Sequence, residues 1–225
     1  VYLFERMFLL HGESKYIDCL ERTLYNGVIS GMSMDGGRFF YPNPLSSDGK
    51  YAFNADNTKT RQPWFGCACC PSNLCRFIPS VPGYLYGVKD NNIYVNLFAG
   101  NTSTIKVQGK DVVLEETTEY PWNGDIKISV KKSGVKNANL LVRIPGWVRN
   151  QVVPSDLYKY SDAENPAYSV TVNGKAVEAD LDANKGYLPV KNIKKGDVVR
   201  IHFDMPIRTV VANAKVADDK GKVAV

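Results

Sequence analysis

A chain of 225 residues with 44% hydrophobic composition can bury a substantial core and fits one large domain or two smaller ones. No apolar run approaches the ~20 residues needed to cross a bilayer and no basic segment leads into a signal-like core, so the chain is expected to be soluble, with no membrane partner. The formal charge of +5 comes from 28 Lys and Arg against 23 Asp and Glu. The basic residues are scattered mostly through strand-like segments of the second half, which argues for a solvated sheet surface and against a nucleic-acid partner.

The first stretch is helical. In "VYLFERMFLL" Leu3, Phe4, Met7, Phe8 and Leu10 recur at helical spacing and Gly12 supplies a stop. "SKYIDCLERTLYNGVIS" restarts the pattern, with Ser14 as N-cap and Tyr16, Ile17, Leu20, Leu24 and Val28 along one face, giving an αα-hairpin. This hairpin carries more apolar side chains than two helices can cover for each other. It is therefore expected to pack on further helices of a bundle or helical barrel. The helical pattern already present at Val1, and the strand-like "GKVAV" at the other end, lead to the expectation of further sequence on both sides.

From "GMSMDGGRFF" to "TKTRQP" the composition turns to Gly, Pro, Asn, Asp and Ser, the pattern of a long loop with a short hairpin about "DGG". Phe39, Phe40, Tyr41, Tyr51 and Phe53 favour an ordered loop. A short helix is expected from about Pro71 to Ser80. Beyond Gly83 the period changes to two, as in "IYVNLF" and "IKISV", and turn signals such as "VNGK" and "KKGD" separate the runs. The expected strands lie in "NIYVNLFAG", "STIKVQG", "DVVLEETTEYPWNG", "DIKISVKK", "NLLVRIPGW", "YSVTVNGKAV", "GYLPVK" and "DVVRIHFDMPIRTVVAN", an antiparallel β-sandwich.

Between these parts lies "WFGCACCPSNLCR", residues 64–76, with four of the five cysteines. An odd, clustered set is not the framework of a disulfide scaffold and points to metal or thiol chemistry. Cys70 before Pro71 reads as an N-cap followed by a proline at the first helical position, where the helix dipole stabilises a thiolate. A bend at the loop-to-helix junction could bring Cys69 and Cys70 to one metal. Cys75 falls elsewhere on the helix and reads as a buried filler. Buried structural cysteines, a disulfide between neighbours and half of a structural zinc site compete with that reading, although His11 and His202 lie far off. Trp147 in "RIPGW" and the strand residue His202 read as structural. Trp64 and Phe65 read as wedges for the cysteine loop, and Arg76 as a partner for a carboxylate or a cap.

The motif "RQPWFGCACCPSNLCRFIPS", with "FFYPNPL" before it and "GYLYGVKDNNIYVNLFAGNTSTIKV" after it, resembles glycoside hydrolase family 127, the β-L-arabinofuranosidases. The likeness extends through "RIPGW" to "ANAKVADDKGKVAV" and so covers most of the chain. It implies an α+β architecture: residues 1–86 as the end of an (α/α)6-barrel catalytic domain, and residues 87–225 as an antiparallel β-sandwich domain.

The resemblance further implies a retaining glycosidase acting on β-L-arabinofuranosides or related plant-polysaccharide sugars. Cys69 matches the family's nucleophile and a zinc ligand, Cys70 a second zinc ligand, and Tyr41 a position that contacts the sugar. The other ligands, in a Glu-x-Cys pattern, and the acid/base Glu are expected upstream of Val1. On that basis zinc belongs to the longer parent, while this chain alone is expected to be inactive, to hold zinc weakly or not at all, and to self-associate through Leu3, Phe4, Met7, Phe8, Leu20 and Leu24 at its helical end. The rival is a non-catalytic carbohydrate-binding or interaction sandwich with a structural metal site.

Overall fold

A computed structural model of the chain describes residues 1–44, 47–67 and 69–225, with Pro71 described by its backbone alone. Leu45 of "FFYPNPL" and Ala68 of the cysteine motif lie outside the described residues. The fold is mixed α+β, with few helices and several sheets. The chain forms two compact units: Leu3–Asp18 with Tyr84–Val225, and Val1–Tyr2 with Cys19–Gly83.

The larger unit is built on thirteen strands: β1 (Tyr86–Lys89), β2 (Asn92–Val95), β3 (Asn101–Val107), β4 (Lys110–Thr118), β5 (Asp125–Ser133), β6 (Asn139–Arg143), β7 (Tyr158–Tyr160), β8 (Tyr168–Val172), β9 (Lys175–Ala176), β10 (Tyr187–Val190), β11 (Val198–Phe203), β12 (Val210–Ala212) and β13 (Val223–Ala224). They form a four-stranded sheet in the order β1-β2-β6-β10, a six-stranded sheet β3-β4-β5-β11-β8-β9 and a small sheet β13-β12-β7. Alternation decides which side faces inward. In β11 Val199, Ile201 and Phe203 are buried while Arg200 and His202 face out. Ile93, Leu140 and Leu188 of the first sheet share one core with Leu114, Ile128 and Ile201 of the second, the arrangement of a sandwich. Trp147 packs against this core, its ring 5.9 Å from that of Phe203.

Two features depart from the sequence expectation. The four-stranded sheet is mixed, because β2 and β6 run parallel, with Asn92 opposite Asn139 and Val95 opposite Val142. The chain leaves β2, builds β3, β4 and β5 in the other sheet and returns, a crossover long enough to permit parallel pairing. The other departure is that β1 and β7 are strands the alternation did not reveal.

The first helix, α1 (Tyr2–His11), ends at Gly12, whose N–H bonds to the Phe8 carbonyl at 2.7 Å with φ +64, a left-handed stop that glycine takes without penalty. The next, α2 (Ser14–Thr23), is shorter than the pattern suggested and gives way to a π turn at Leu24–Val28 and a 3-10 turn at Ile29–Gly31. Ser14 is not the expected N-cap. It is buried inside the first turn, and its hydroxyl accepts from Arg149 Nη2 at 2.9 Å.

Within the larger unit the helical segment packs on the sandwich. Phe8 meets Tyr94 edge-on at 5.5 Å, and Asp18 takes a 2.6 Å bond from Arg143 Nη1 on β6. Arg143 is fully buried, and its Nε donates to the Asn96 carbonyl, so its charge is both paired and hydrogen-bonded. Of the six apolar side chains expected to lie uncovered, Phe8, Leu20 and Leu24 are buried and Phe4 and Met7 half-buried. Leu3 is exposed, as are Tyr2, Leu9 and Leu10.

In the smaller unit the long loop is ordered by aromatics, as the composition suggested. Antiparallel bridges join Met32 to Phe39 and Phe39 to Gln62, closing the hairpin about "DGG". Phe39 and Phe65 are buried against each other at 5.3 Å, Phe40 meets Phe53, and Arg61 lies over Phe40 while bonding to the carbonyls of Ser30 and Gly31. Tyr51 and Trp64, in contrast, are exposed. The unit ends in α3 (Cys69–Phe77) and in the 3-10 segment Ile78–Tyr84, whose last residue already belongs to the larger unit.

Candidate active site

Helix α3 starts at Cys69, two residues earlier than the sequence suggests, so Cys70 lies inside its first turn and is not its cap. Both cysteines stand where the backbone N–H groups of the helix are unpaired and its dipole favours negative charge. Within the first turns of α3, Ser72 Oγ and Asn73 Nδ2 donate to the Cys69 carbonyl at 3.0 and 2.9 Å. The Cys69 side chain is exposed and Cys70 half-buried.

Tyr41 reaches this helix start from the long loop. Its hydroxyl lies 2.8 Å from Cys69 Sγ, and its ring meets the buried Phe65 edge-on at 5.6 Å. Asn54 fixes the backbone behind it: Oδ1 accepts the Tyr41 N–H at 2.7 Å, while Nδ2 donates to the Thr60 carbonyl at 2.9 Å. Asn54 is buried, so both halves of its amide are used where water cannot replace them. Sequence reasoning missed Asn54. A polar residue directly after "YAF", beside the aromatic run, is its only signal.

The electrostatics follow from these contacts. Hydrogen bonding from the Tyr41 hydroxyl holds the Cys69 thiol below its ordinary range, with smaller contributions from Cys70 and Cys67 against some desolvation. The same bond, with one to Cys67, pushes Tyr41 well above the usual phenol value. Cys70 is raised, chiefly by desolvation and then by Cys69. Cys67, which the spacing argument did not single out, thus bears on the electrostatics of both Tyr41 and Cys69.

The sulfurs of Cys69 and Cys70 are 3.8 Å apart, in hydrogen-bond contact and not joined as a disulfide. Two thiolates on one tetrahedral zinc, each at ~2.3 Å, stand about 3.8 Å apart, so this pair fits two corners of such a site. Among the described residues no group of three or more His, Cys, Asp or Glu side chains is assembled to hold a metal. Beside the pair lies a cavity of about 420 Å3 whose walls include Tyr41, Asn43, Cys70, Asn73, Arg76 and Phe77. Arg76 bonds to Asn73 Oδ1, where a carboxylate or a loop cap was expected. Cys75 is exposed, not a buried filler, because the short helix turns that side outward.

Comparisons with known proteins bear on this geometry. The family model described as the β-L-arabinofuranosidase GH127 catalytic domain matches residues 1–83, and that of the GH127 middle domain matches residues 92–205. A non-reducing end β-L-arabinofuranosidase of Bifidobacterium longum subsp. longum is 32% identical over 98% of this chain and 32% of its own length. A solved GH127 β-arabinofuranosidase is 56% identical with a TM-score of 0.90, over 99% of this chain and 34% of that one. A GH127 β-L-arabinofuranosidase from Geobacillus stearothermophilus T6 is 36% identical with a TM-score of 0.80, over 98% and 33%. The chain therefore spans about a third of the length of these relatives. With the middle-domain model alone matching just over half of its residues, the chain belongs to the GH127 β-L-arabinofuranosidase family.

Proposed function

We propose that this chain supplies the nucleophile-bearing part of a retaining glycosidase that cleaves β-L-arabinofuranosides or related plant-polysaccharide sugars, with Cys69 as nucleophile. The observation that carries the reading is the placement of Cys69 Sγ, exposed at the start of α3 and 2.8 Å from the Tyr41 hydroxyl. Family membership and the names of the relatives supply the substrate class. In this reading residues 1–86 are the end of an (α/α)6 barrel and residues 87–225 its companion sandwich.

The Cys69 thiolate attacks the anomeric carbon; a C–S bond forms as the glycosidic C–O bond breaks, and the leaving oxygen takes a proton from a carboxylic acid outside this chain. Water then displaces the sulfur, with that carboxylate accepting its proton, and returns the thiolate. Tyr41 steadies the sulfur between turnovers and presents its hydroxyl to the sugar. Asn54 and Phe65 hold Tyr41 in place. Cys69 and Cys70 would hold zinc together with two ligands from outside the chain, and bound zinc would keep the Cys69 sulfur deprotonated. Two thiols alone leave such a site open, so the isolated chain is inactive and binds zinc weakly. Its exposed Tyr2, Leu3, Leu9 and Leu10 favour self-association through α1.

Replacement of Cys69 by Ser in the full-length protein tests the assignment, because a hydroxyl is a far weaker nucleophile at neutral pH. Turnover of an aryl β-L-arabinofuranoside is expected to fall at least about 10^3-fold with the sandwich still folded. Near-parental activity would remove Cys69 from this role.

A further inference from the structure

The sandwich unit carries a second concave site. An open groove of about 720 Å3 is lined by Trp122, Asn123, Glu164, Asn165, His202 and Asp204, among others. These residues are far apart in sequence, and the sheet register joins them. Asp125 at the start of β5 pairs with His202 near the end of β11, and Phe203 of β11 pairs with Tyr168 at the start of β8. The turn before β5, the segment before β8 and the tail of β11 therefore converge at one end of the six-stranded sheet.

Trp122 is the unusual member. It is 83% exposed, although a large apolar surface of this kind is normally covered. Its position is nevertheless defined. The Trp122 N–H bonds to the Glu119 carbonyl at 2.8 Å, and the following Gly124 presses so close to β11 that an added Cβ would stand 2.0 Å from the Phe203 carbonyl oxygen. Only glycine allows the turn to close there.

The polar rim is equally braced. Asn123 bonds Glu119 Oε2 and the Asp125 N–H; His202 Nδ1 and Nε2 lie 2.7 and 3.2 Å from Asp125 Oδ1 and Asp204 Oδ1; Asn165 Oδ1 accepts from Asn150 Nδ2. A flat aromatic face carried on a braced turn, beside side chains already held in place, lowers the ordering cost of binding.

The chemistry of the lining selects the ligand. Glu164 and Asp204 place carboxylates in the lining, and Glu119 and Asp125 stand behind it as partners of Asn123 and His202; carboxylates repel anions and accept hydrogen bonds from hydroxyl groups. The amides of Asn123 and Asn165 add the complementary polar groups. A sugar ring offers an apolar C–H face that covers an indole and a rim of hydroxyls that bond to such side chains. We propose that the groove headed by Trp122 is a non-catalytic saccharide-binding site, distinct from the cysteine cluster, that takes a segment of neutral polysaccharide.

Native affinity electrophoresis of the full-length protein in gels containing soluble arabinan or arabinogalactan tests this. Parent protein and Cys69→Ser are expected to be retarded alike. Trp122→Ala is expected to bind at least about fivefold more weakly, while Trp122→Phe keeps most of the retardation because a flat ring remains. Equal retardation of Trp122→Ala and parent, or no retardation of the parent by either polysaccharide, would overturn the proposal. Should Trp122→Ala fail to fold, the exposed Glu164→Ala decides: weakened retardation supports the site and parental retardation overturns it. Loss of retardation in Cys69→Ser would transfer the binding to the cysteine region and likewise overturn it.

Discussion

In the sandwich unit the side chains that decide folding are apolar and fully buried, among them Ile93, Leu114, Ile128 and Leu140. In the unit that carries Cys69, the side chains suited to chemistry lie at or near the surface, on a loop and the first turn of a short helix, and only a few aromatics hold them. The first region gains its stability from area removed from water, where any lost methyl group is felt. The second gains precision from a few directed contacts, above all Asn54 to Tyr41 and Tyr41 to Cys69. The contrast teaches that substitutions should separate cleanly: stability changes without loss of the site in one region, and activity changes without unfolding in the other.

The largest expected effect lies in the sandwich core. Leu114 is fully buried on β4, and Leu114→Ala should cost roughly 2–5 kcal/mol of unfolding free energy, read from urea denaturation. A loss below about 0.5 kcal/mol would show that the shared core of the two sheets is not what holds the unit together.

Glu116, also on β4, provides a smaller effect with a definite sign. Burial pushes its carboxyl up to about 7, even though Tyr86, the Ala99 N–H and Asn101 hydrogen-bond to it. The folded state therefore holds a proton that the unfolded chain releases near 4.5. Its contribution is fully present below that value and is lost as pH rises through about 7. Across this window the wild type should lose roughly 3 kcal/mol relative to Glu116→Gln. Parallel stability curves for the two proteins would contradict the assignment.

The smallest effect belongs to the site. Tyr41→Phe removes the hydroxyl 2.8 Å from Cys69 Sγ while keeping the ring against Phe65. Turnover by the full-length protein should drop roughly tenfold with the urea midpoint unchanged. A shifted midpoint with unchanged turnover would reverse the comparison between the two regions.

How much of this was legible in the sequence depended on the range of the contact. The switch from helical to two-residue period after Gly83 is local and was readable, as was the ordered aromatic loop, whereas the sequence left the meeting of Cys69 with Cys70 as one of several readings. The parallel pairing of β2 with β6 is non-local and leaves no mark on either strand's alternation. Arg143 looks like a surface residue in "LLVRIPGW", yet it is fully buried because Asp18, 125 positions away, supplies its counter-charge. The Ser14 hydroxyl was expected to cap its helix and instead meets Arg149, 135 positions on. Tyr41 was singled out by resemblance alone, as a sugar contact, and its place 2.8 Å from Cys69 Sγ is not visible in the sequence. Its anchor, Asn54, works through a backbone N–H that the sequence does not show.

The central claim is that the Cys69 sulfur forms the covalent bond to the sugar. Rapid acid quenching of the full-length protein during turnover of a β-L-arabinofuranoside with a fluorinated sugar ring, followed by peptide mass mapping, tests it directly. The account predicts one glycosyl adduct on the peptide containing Cys69, absent from Cys69→Ser and present in Tyr41→Phe. An adduct on a carboxylate elsewhere, or turnover with inverted anomeric configuration and no adduct, would contradict it.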